Sequence, residues 1–256
     1  VSQSRSRRCN ALSAGGIKSI LKSPAHFKTS QGNTNNSPAL VFGRAAHSYI
    51  FQPELEKVIC EPPGMDRRRK DDKAFLKLWH EENKDKIIIG NDEFDTLKSM
   101  KYYLYRSETV KMMLKKGKPE VSGFWRHPVY DFLCKCRPDF LIEDLGWIVD
   151  YKTCKDASAE AFGRTVVNFQ YDVQASWYTW GMELLTGREW TFVFIAQEKT
   201  PPYGVAIYSV GPDVLKRGKP QCKRASEIYN DCLKSDKWPG YPDTIQNVQL
   251  PGWARR

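Results

Sequence analysis

Apolar and polar residues alternate most regularly between Gly146 and Lys152. Trp147, Val149 and Tyr151 fall on one face of an expected strand, and Ile148, Asp150 and Lys152 fall on the other. A carboxylate and an ammonium therefore project the same way. Further strand-like runs occur at Glu120 to Arg126, Asp131 to Arg137 and Phe140 to Glu143, with breaks at His127-Pro128 and Asp144-Leu145-Gly146. A hairpin between the Phe140 to Glu143 run and the Gly146 to Lys152 run brings Asp139, which follows Pro138, back beside Asp150. Two carboxylates and a lysine that converge in this way suit a divalent cation and a water.

Helical spacing dominates elsewhere. A helix is expected from Leu12 to Ser23-Pro24, with Ser13 as its cap and Ile17, Ile20 and Leu21 as its apolar positions. The free N–H groups at such a helix start also suit a phosphate. Thr29 to Pro38 reads as a polar loop. A second helix, Ala39 to Phe51, places Gly43 and His47 on one face; a histidine alone in such a position is more often packed or hydrogen-bonded than a ligand. Met65 to Asn83 opens on Arg67, Arg68, Arg69 and Lys70 and continues as a helix through Phe75, Leu76 and Trp79. Another helix starts at Asn91, with Phe94, Leu97, Tyr102 and Leu104 apolar, and a short one spans Val110 to Leu114.

Asp156 is placed to cap a helix running to Val167. Gln170 to Leu185 forms a strong helix stopped by Thr186-Gly187, with Val173, Trp177, Trp180 and Leu184 as its stripe and Gln174 and Tyr178 side by side next to it. Thr191 to Ala196 is almost entirely apolar, as a strand covered on both faces is, and Val205 to Tyr208 suggests its neighbour. Pro212 to Cys232 reads as helical, with Gly218 and Pro220 as interruptions. There is no internal repeat and no clear linker. The expectation is a flexible basic arm over residues 1–10 and one α/β (α+β) domain over 11–256, with a central mixed β-sheet flanked by helices.

Charge sharpens this picture. The 256 residues hold 40 basic and 30 acidic side chains, a net charge of +10, which points to a polyanionic partner such as nucleic acid. The basic clusters Arg67, Arg68, Arg69 and Lys111, Lys115, Lys116 are candidate phosphate contacts, together with Ser13. The seven cysteines are odd in number and scattered. Cys134 and Cys136 lack the spacing of a zinc site, which favours reduced, buried thiols. No run is long and apolar enough to cross a membrane, and no signal-peptide core is visible, so a soluble, cytoplasmic protein is expected.

The combination of Pro138-Asp139, Asp150-Tyr151-Lys152, an upstream His47 and a downstream Gln174/Tyr178 pair resembles the PD-(D/E)xK nuclease superfamily. The likeness is greater to the RecE-type exonucleases, the nuclease part of exodeoxyribonuclease VIII, many of them encoded by phages or prophages. It extends over most of the chain after Asn10. Leu12-Ser13-Ala14, Gly43 to His47, Glu120, Cys134 to Asp139, Trp147 to Thr153, Val173 to Tyr178, Trp238-Pro239 and Leu250 to Ala254 all take part.

The resemblance implies a restriction-endonuclease-like core and a magnesium-dependent enzyme, with manganese as the alternative ion. Such an enzyme degrades linear double-stranded DNA from its 5′ ends and leaves 3′ single-stranded overhangs for recombination. It also implies roles: Asp139, Asp150, the Tyr151 carbonyl and His47 at the metal, Lys152 at the attacking water, Glu120 near the metal, and Gln174 and Tyr178 orienting the site. A ring-shaped homo-oligomer (trimer or tetramer), a RecT-type single-strand annealing partner and a bacterial host cytoplasm are further implications. A structure-specific or restriction-like endonuclease, or a non-catalytic DNA-binding recombination module, is the alternative.

Overall fold

The computed structural model describes residues 11–31, 37–52, 56–66 and 68–249; the expected basic arm, Arg67 and the closing segment from Leu250 to Ala254 lie outside them. In chain order the elements are α1 (Ala14–Lys22), α2 (Pro24–Ser30), α3 (Pro38–Phe51), β1 (Val58–Cys60), α4 (Lys70–Glu82), β2 (Ile87–Ile89), α5 (Asn91–Leu104), α6 (Glu108–Lys116) and β3 (Lys118–Pro119). They continue with β4 (Gly123–Arg126), β5 (Leu133–Cys136), β6 (Phe140–Ile142), β7 (Trp147–Cys154), α7 (Ala159–Asn168), α8 (Tyr171–Thr186), β8 (Thr191–Glu198), β9 (Val205–Ser209) and α9 (Pro212–Ser235).

The central sheet runs β3-β6-β7-β8-β9. β6 and β7 form the expected antiparallel hairpin, with Phe140 opposite Val149. The chain then crosses through α7 and α8 and returns as β8, parallel to β7, with Asp150 opposite Phe194; β9 closes the sheet antiparallel to β8. A mixed sheet with helices on both faces is the architecture expected from the sequence.

Strand alternation divides the core in two. Leu141, Ile148, Phe192 and Phe194 pack with α1, α7, α8 and α9 on one face, whereas Phe140, Ile142, Val149, Tyr151, Val193 and Ile195 pack with α3, α5 and α6 on the other. β8 sits between these layers, so its apolar run is buried on both sides. β4 and β5 pair as a separate hairpin. Leu12 joins the edge of β5, donating from its N–H to the Leu133 carbonyl and accepting at its own carbonyl from the Lys135 N–H, both at 2.8 Å. That short bridge holds the start of α1 next to the hairpin.

Several expectations need correction. α9 is continuous for 24 residues through Gly218 and Pro220. Gly218 is required by packing: a Cβ there would lie 2.2 Å from the Asp172 carbonyl oxygen and 2.3 Å from Ser176 Oγ, so only glycine lets α9 approach α8 this closely. The helix expected from Met65 begins at Lys70. The helix after Asp156 begins at Ala159 with Ser158 at its N-cap, and Asp156 instead accepts from the Ser158 N–H. Leu184, Tyr102 and Phe75, assigned to apolar stripes, are exposed, and Met100 and Met182 fill core positions instead.

Candidate active site

Each acidic group of the site is placed by local backbone. Asp139 directly precedes β6, and its Oδ2 accepts from the Tyr151 N–H at 2.7 Å, which locks the carboxylate against the middle of β7. Glu120 follows β3 in the left-handed region, φ +54°, an uncommon conformation for glutamate, and its N–H donates to the Asp139 carbonyl at 3.0 Å. α3 arrives from the opposite layer. His47 Nε2 lies 3.0 Å from Asp139 Oδ1 and 3.4 Å from Glu120 Oε1. Donor atoms of His47, Glu120 and Asp139 all lie within 4.8 Å of one another.

Asp150 stands one step away, 2% exposed. Its Oδ1 accepts from Gln174 Nε2 of α8 at 2.6 Å, and its Oδ2 contacts the Lys152 ammonium. Lys152 Nζ also lies 4.9 Å from the centre of the Tyr171 ring. Tyr178, one turn after Gln174, lines the same cleft of about 320 Å³ with Ser13, Glu120, Lys135, Cys136, Arg137, Asp139, Asp150, Lys152 and Gln174. A larger hollow of about 520 Å³ lies by the end of α8. Among the described residues that line it the one basic group, Arg188, is engaged by the Glu143 carbonyl and the face of Trp190, and none of the candidate site residues lines it.

Burial and neighbouring charge set the protonation states. Burial is the largest influence on Asp150 and pushes its carboxyl up to about 6; Lys152 opposes the rise, and the Asp139 charge adds to it. For Asp139 burial acts the same way, yet His47 and Lys152 outweigh it and hold the carboxyl below its ordinary value. Burial works against the His47 imidazolium, but Asp139, then Glu120 and Asp150, raise its pKa above the usual histidine value. Burial likewise disfavours the Lys152 ammonium, and Asp150 and Asp139 reverse this and raise it.

Seven buried side-chain polar atoms among the described residues lack a well-aligned hydrogen bond, and four belong to this site: His47 Nε2, Glu120 Oε2, Arg137 Nη1 and Asp150 Oδ2. The short contacts around them are electrostatic and off-axis, as where Arg137 Nε lies 2.8 Å from Glu120 Oε2. Buried polar atoms are normally satisfied. Such a cluster of carboxylates and one imidazole fits a hard or borderline divalent cation.

All the core candidates from sequence therefore meet: His47, Glu120, Asp139, Asp150, Lys152, Gln174 and Tyr178, with Ser13 both capping α1 and lining the cleft. The Tyr151 N–H points toward Asp139, and in an extended strand the carbonyl of the same residue projects to that side as well. The surface basic candidates do not join them. Arg68 is held by Asp66 and Lys111 by Glu108; Arg69 precedes α4; Lys115 and Lys116 are exposed on α6; none of these lines the cleft. The basic wall consists instead of Lys135 and Arg137, on the face of β5 opposite the buried Cys134 and Cys136. That alternation was visible in the sequence but unused. Lys18 of α1 was also missed. It donates to the Phe169 carbonyl at 2.9 Å and lies 5.0 Å from the centre of the Tyr171 ring. Burial, helped by the Lys152 charge, brings its ammonium down to about 8.

A mixed sheet carrying an acidic residue before one strand and an Asp-x-Lys on the next, completed by a helical Gln-x-x-x-Tyr, defines a PD-(D/E)xK-type core. The chain belongs to the family described as PDDEXK-like domain of unknown function (DUF3799), matched over residues 13–251. No curated protein matches the sequence. Among solved structures, the chain is similar in fold to a protein from Eubacterium rectale named "Putative exonuclease", with a TM-score of 0.59 at 17% identity, covering 95% of this chain and 93% of that one. A phage-related exonuclease from Haemophilus somnus 129PT is more distant, with a TM-score of 0.34 at 13% identity over 75% of this chain and 95% of that one.

Proposed function

We propose that the protein is a divalent-metal-dependent nuclease that digests linear double-stranded DNA from its 5′ ends and leaves 3′ overhangs. The observation that carries this reading is the convergence of the His47–Glu120–Asp139 donor set with the buried Asp150–Lys152 pair of the cleft, which Glu120 and Asp139 also line. Membership of the PDDEXK-like family supports a nuclease, and the fold shared with a protein named as an exonuclease agrees with attack at ends.

Asp139, Glu120 and His47 would hold the cation, with Asp150 and the Tyr151 carbonyl facing it; magnesium or manganese suits these donors. A cation bound there supplies Lewis acidity to the scissile phosphodiester. Lys152 remains an ammonium at neutral pH, because its pKa is raised, and so orients the attacking water and balances charge on the phosphate. Gln174 fixes the Asp150 carboxylate, and Asp150 in turn fixes Lys152. Arg137 and Lys135 offer cationic contacts to the DNA backbone at the cleft wall. A ring of identical subunits around the duplex and an annealing protein that takes over the exposed strand complete the proposal.

Linear duplex labelled at either the 5′ or the 3′ end, incubated with magnesium, tests it. The 5′ label should be released early as short product while the 3′ label stays on long strands, and closed circles should survive. Cutting of closed circles would assign an endonuclease, and binding without cleavage under both magnesium and manganese would assign a non-catalytic module.

A further inference from the structure

We propose that the end of α5 and the turn between β8 and β9 form a platform for single-stranded nucleic acid, apart from the cleft that holds Asp139 and Asp150. The segment Lys101-Tyr102-Tyr103-Leu104-Tyr105-Arg106 buries Leu104 and turns its tyrosines outward: Tyr102 is 59% exposed and Tyr103 41%. Exposed rings in such number on one helix end are not needed for the core. They form a connected row. The Arg106 guanidinium lies 5.7 Å from the centre of the Tyr102 ring, Tyr102 meets Tyr103 edge-on at 5.3 Å, and Tyr103 meets Tyr203 at 5.5 Å and 34°. Tyr203 reaches the row from the β8–β9 turn with φ +58°, an uncommon conformation for a bulky residue.

Two cations border this row. Lys101 lies 5.0 Å from the centre of the Tyr49 ring, and Arg106 donates to Tyr102 Oη at 3.0 Å. Neither makes an ion pair with a carboxylate among the described residues, and nearby Glu108 is taken by Lys111. Aromatic faces interleaved with cations that no carboxylate neutralises are the chemistry that binds a single strand, because bases stack on the rings and phosphates meet the cations whatever the sequence. A duplex keeps its bases stacked inside and gains only from the cations. The platform is also mechanically tied to the catalytic strand: Tyr151 Oη donates to Gln197 Oε1 at 2.7 Å, and Gln197 Nε2 donates to the Met100 carbonyl of α5 at 2.8 Å. None of its residues lines the acidic cleft. The inference goes beyond the nuclease reading and does not require hydrolysis.

Fluorescence anisotropy of a labelled oligothymidylate and of a duplex, with the full chain in chelating buffer and the DNA recovered intact afterwards, reads the platform alone. Tyr102→Ala is expected to weaken single-strand binding about 5-fold or more, from the lower end of the range for a lost stacking partner. Tyr102→Phe should stay within about twofold of wild type, since it keeps the ring. Duplex binding should change far less in both variants. Removing Lys101 and Arg106 should flatten the salt dependence by about 0.7 per lost phosphate contact. Unchanged single-strand binding in the Tyr102→Ala/Tyr103→Ala variant would overturn the proposal. So would equal losses for duplex and single strand, or a change in oligomeric state without a change in binding, which would make this face a contact between copies. Because both side chains are exposed, the variants should melt with wild type, and the Phe variant provides a control in any case.

Discussion

Asp150→Asn is expected to stabilise the protein near neutral pH while abolishing its function. Burial pushes the wild-type carboxyl up to about 6 in the folded protein, against 3.8 for an ordinary aspartate, with the opposing attraction of Lys152 already included. A carboxyl with a raised folded pKa binds its proton more tightly folded than unfolded. Its ionisation costs nothing below the unfolded pKa, a growing amount as pH climbs toward 6, and a constant amount above that. At 1.36 kcal/mol per unit the plateau is about 3 kcal/mol. Asparagine removes the charge and can still accept from Gln174 through its Oδ1, while Lys152, which loses the Asp150 charge, keeps that of Asp139. For a chain of this size 1 kcal/mol moves the melting point by about 2–4 °C, so the variant should melt about 6–12 °C higher at pH 7.5. At pH 4.5 the gain should shrink to about 1 kcal/mol or less. Thermal melts in chelating buffer at both pH values provide the assay. A variant no more stable than wild type at pH 7.5, or a gain that does not change with pH, would refute this account of the buried carboxylate.

Three further outcomes follow from the same geometry. Divalent cations should raise the melting point of wild type, by about 2.7 kcal/mol of stabilisation at a hundred times the dissociation constant. Glu120→Gln or His47→Ala should lose most of that shift in a manganese titration followed by scanning fluorimetry. Gly218→Ala forces a Cβ to within 2.2 Å of the Asp172 carbonyl and should cost about 1–3 kcal/mol in urea unfolding; a loss under about 0.5 kcal/mol would contradict the close packing of α9 on α8. Burial pushes the Cys134 and Cys136 thiols up to about 12, so both should resist a thiol reagent at pH 8 until the protein unfolds, as read by mass mapping of the labelled sites.

The placement of the β7 candidates was legible because local rules govern it. Strand alternation puts Asp150 and Lys152 on one face, helix periodicity puts Gln174 beside Tyr178, and a short hairpin returns Asp139 to β7. His47 could be identified only through its motif company, since nothing local in α3 tells a helical histidine that it will meet Asp139. Arg137 escaped notice for a similar reason: its partner, Glu120, is brought to it by a left-handed turn rather than by spacing. Lys18 depends on a contact between α1 and the junction of α7 with α8, at Phe169 and Tyr171, that no periodicity encodes. The misplaced breaks at Gly218 and Pro220 show tertiary packing overriding local propensity, because the contact of α9 with α8 holds the helix through both residues. The surface lysines of α6 lie apart from the cleft. Clustering of like charge marks a solvated face as readily as a DNA track, and here the cleft takes its cations from β5.

The most direct test of the metal-dependent hydrolysis assigned to this cleft is the rate of linear duplex digestion by wild type and Lys152→Met, each with magnesium and with chelator, with DNA binding measured alongside. Wild type should digest only with the metal, and Lys152→Met should bind DNA comparably but digest it about 10²-fold more slowly or worse. Digestion by wild type that persists in chelator, or a Lys152→Met rate within a few-fold of wild type, would contradict it.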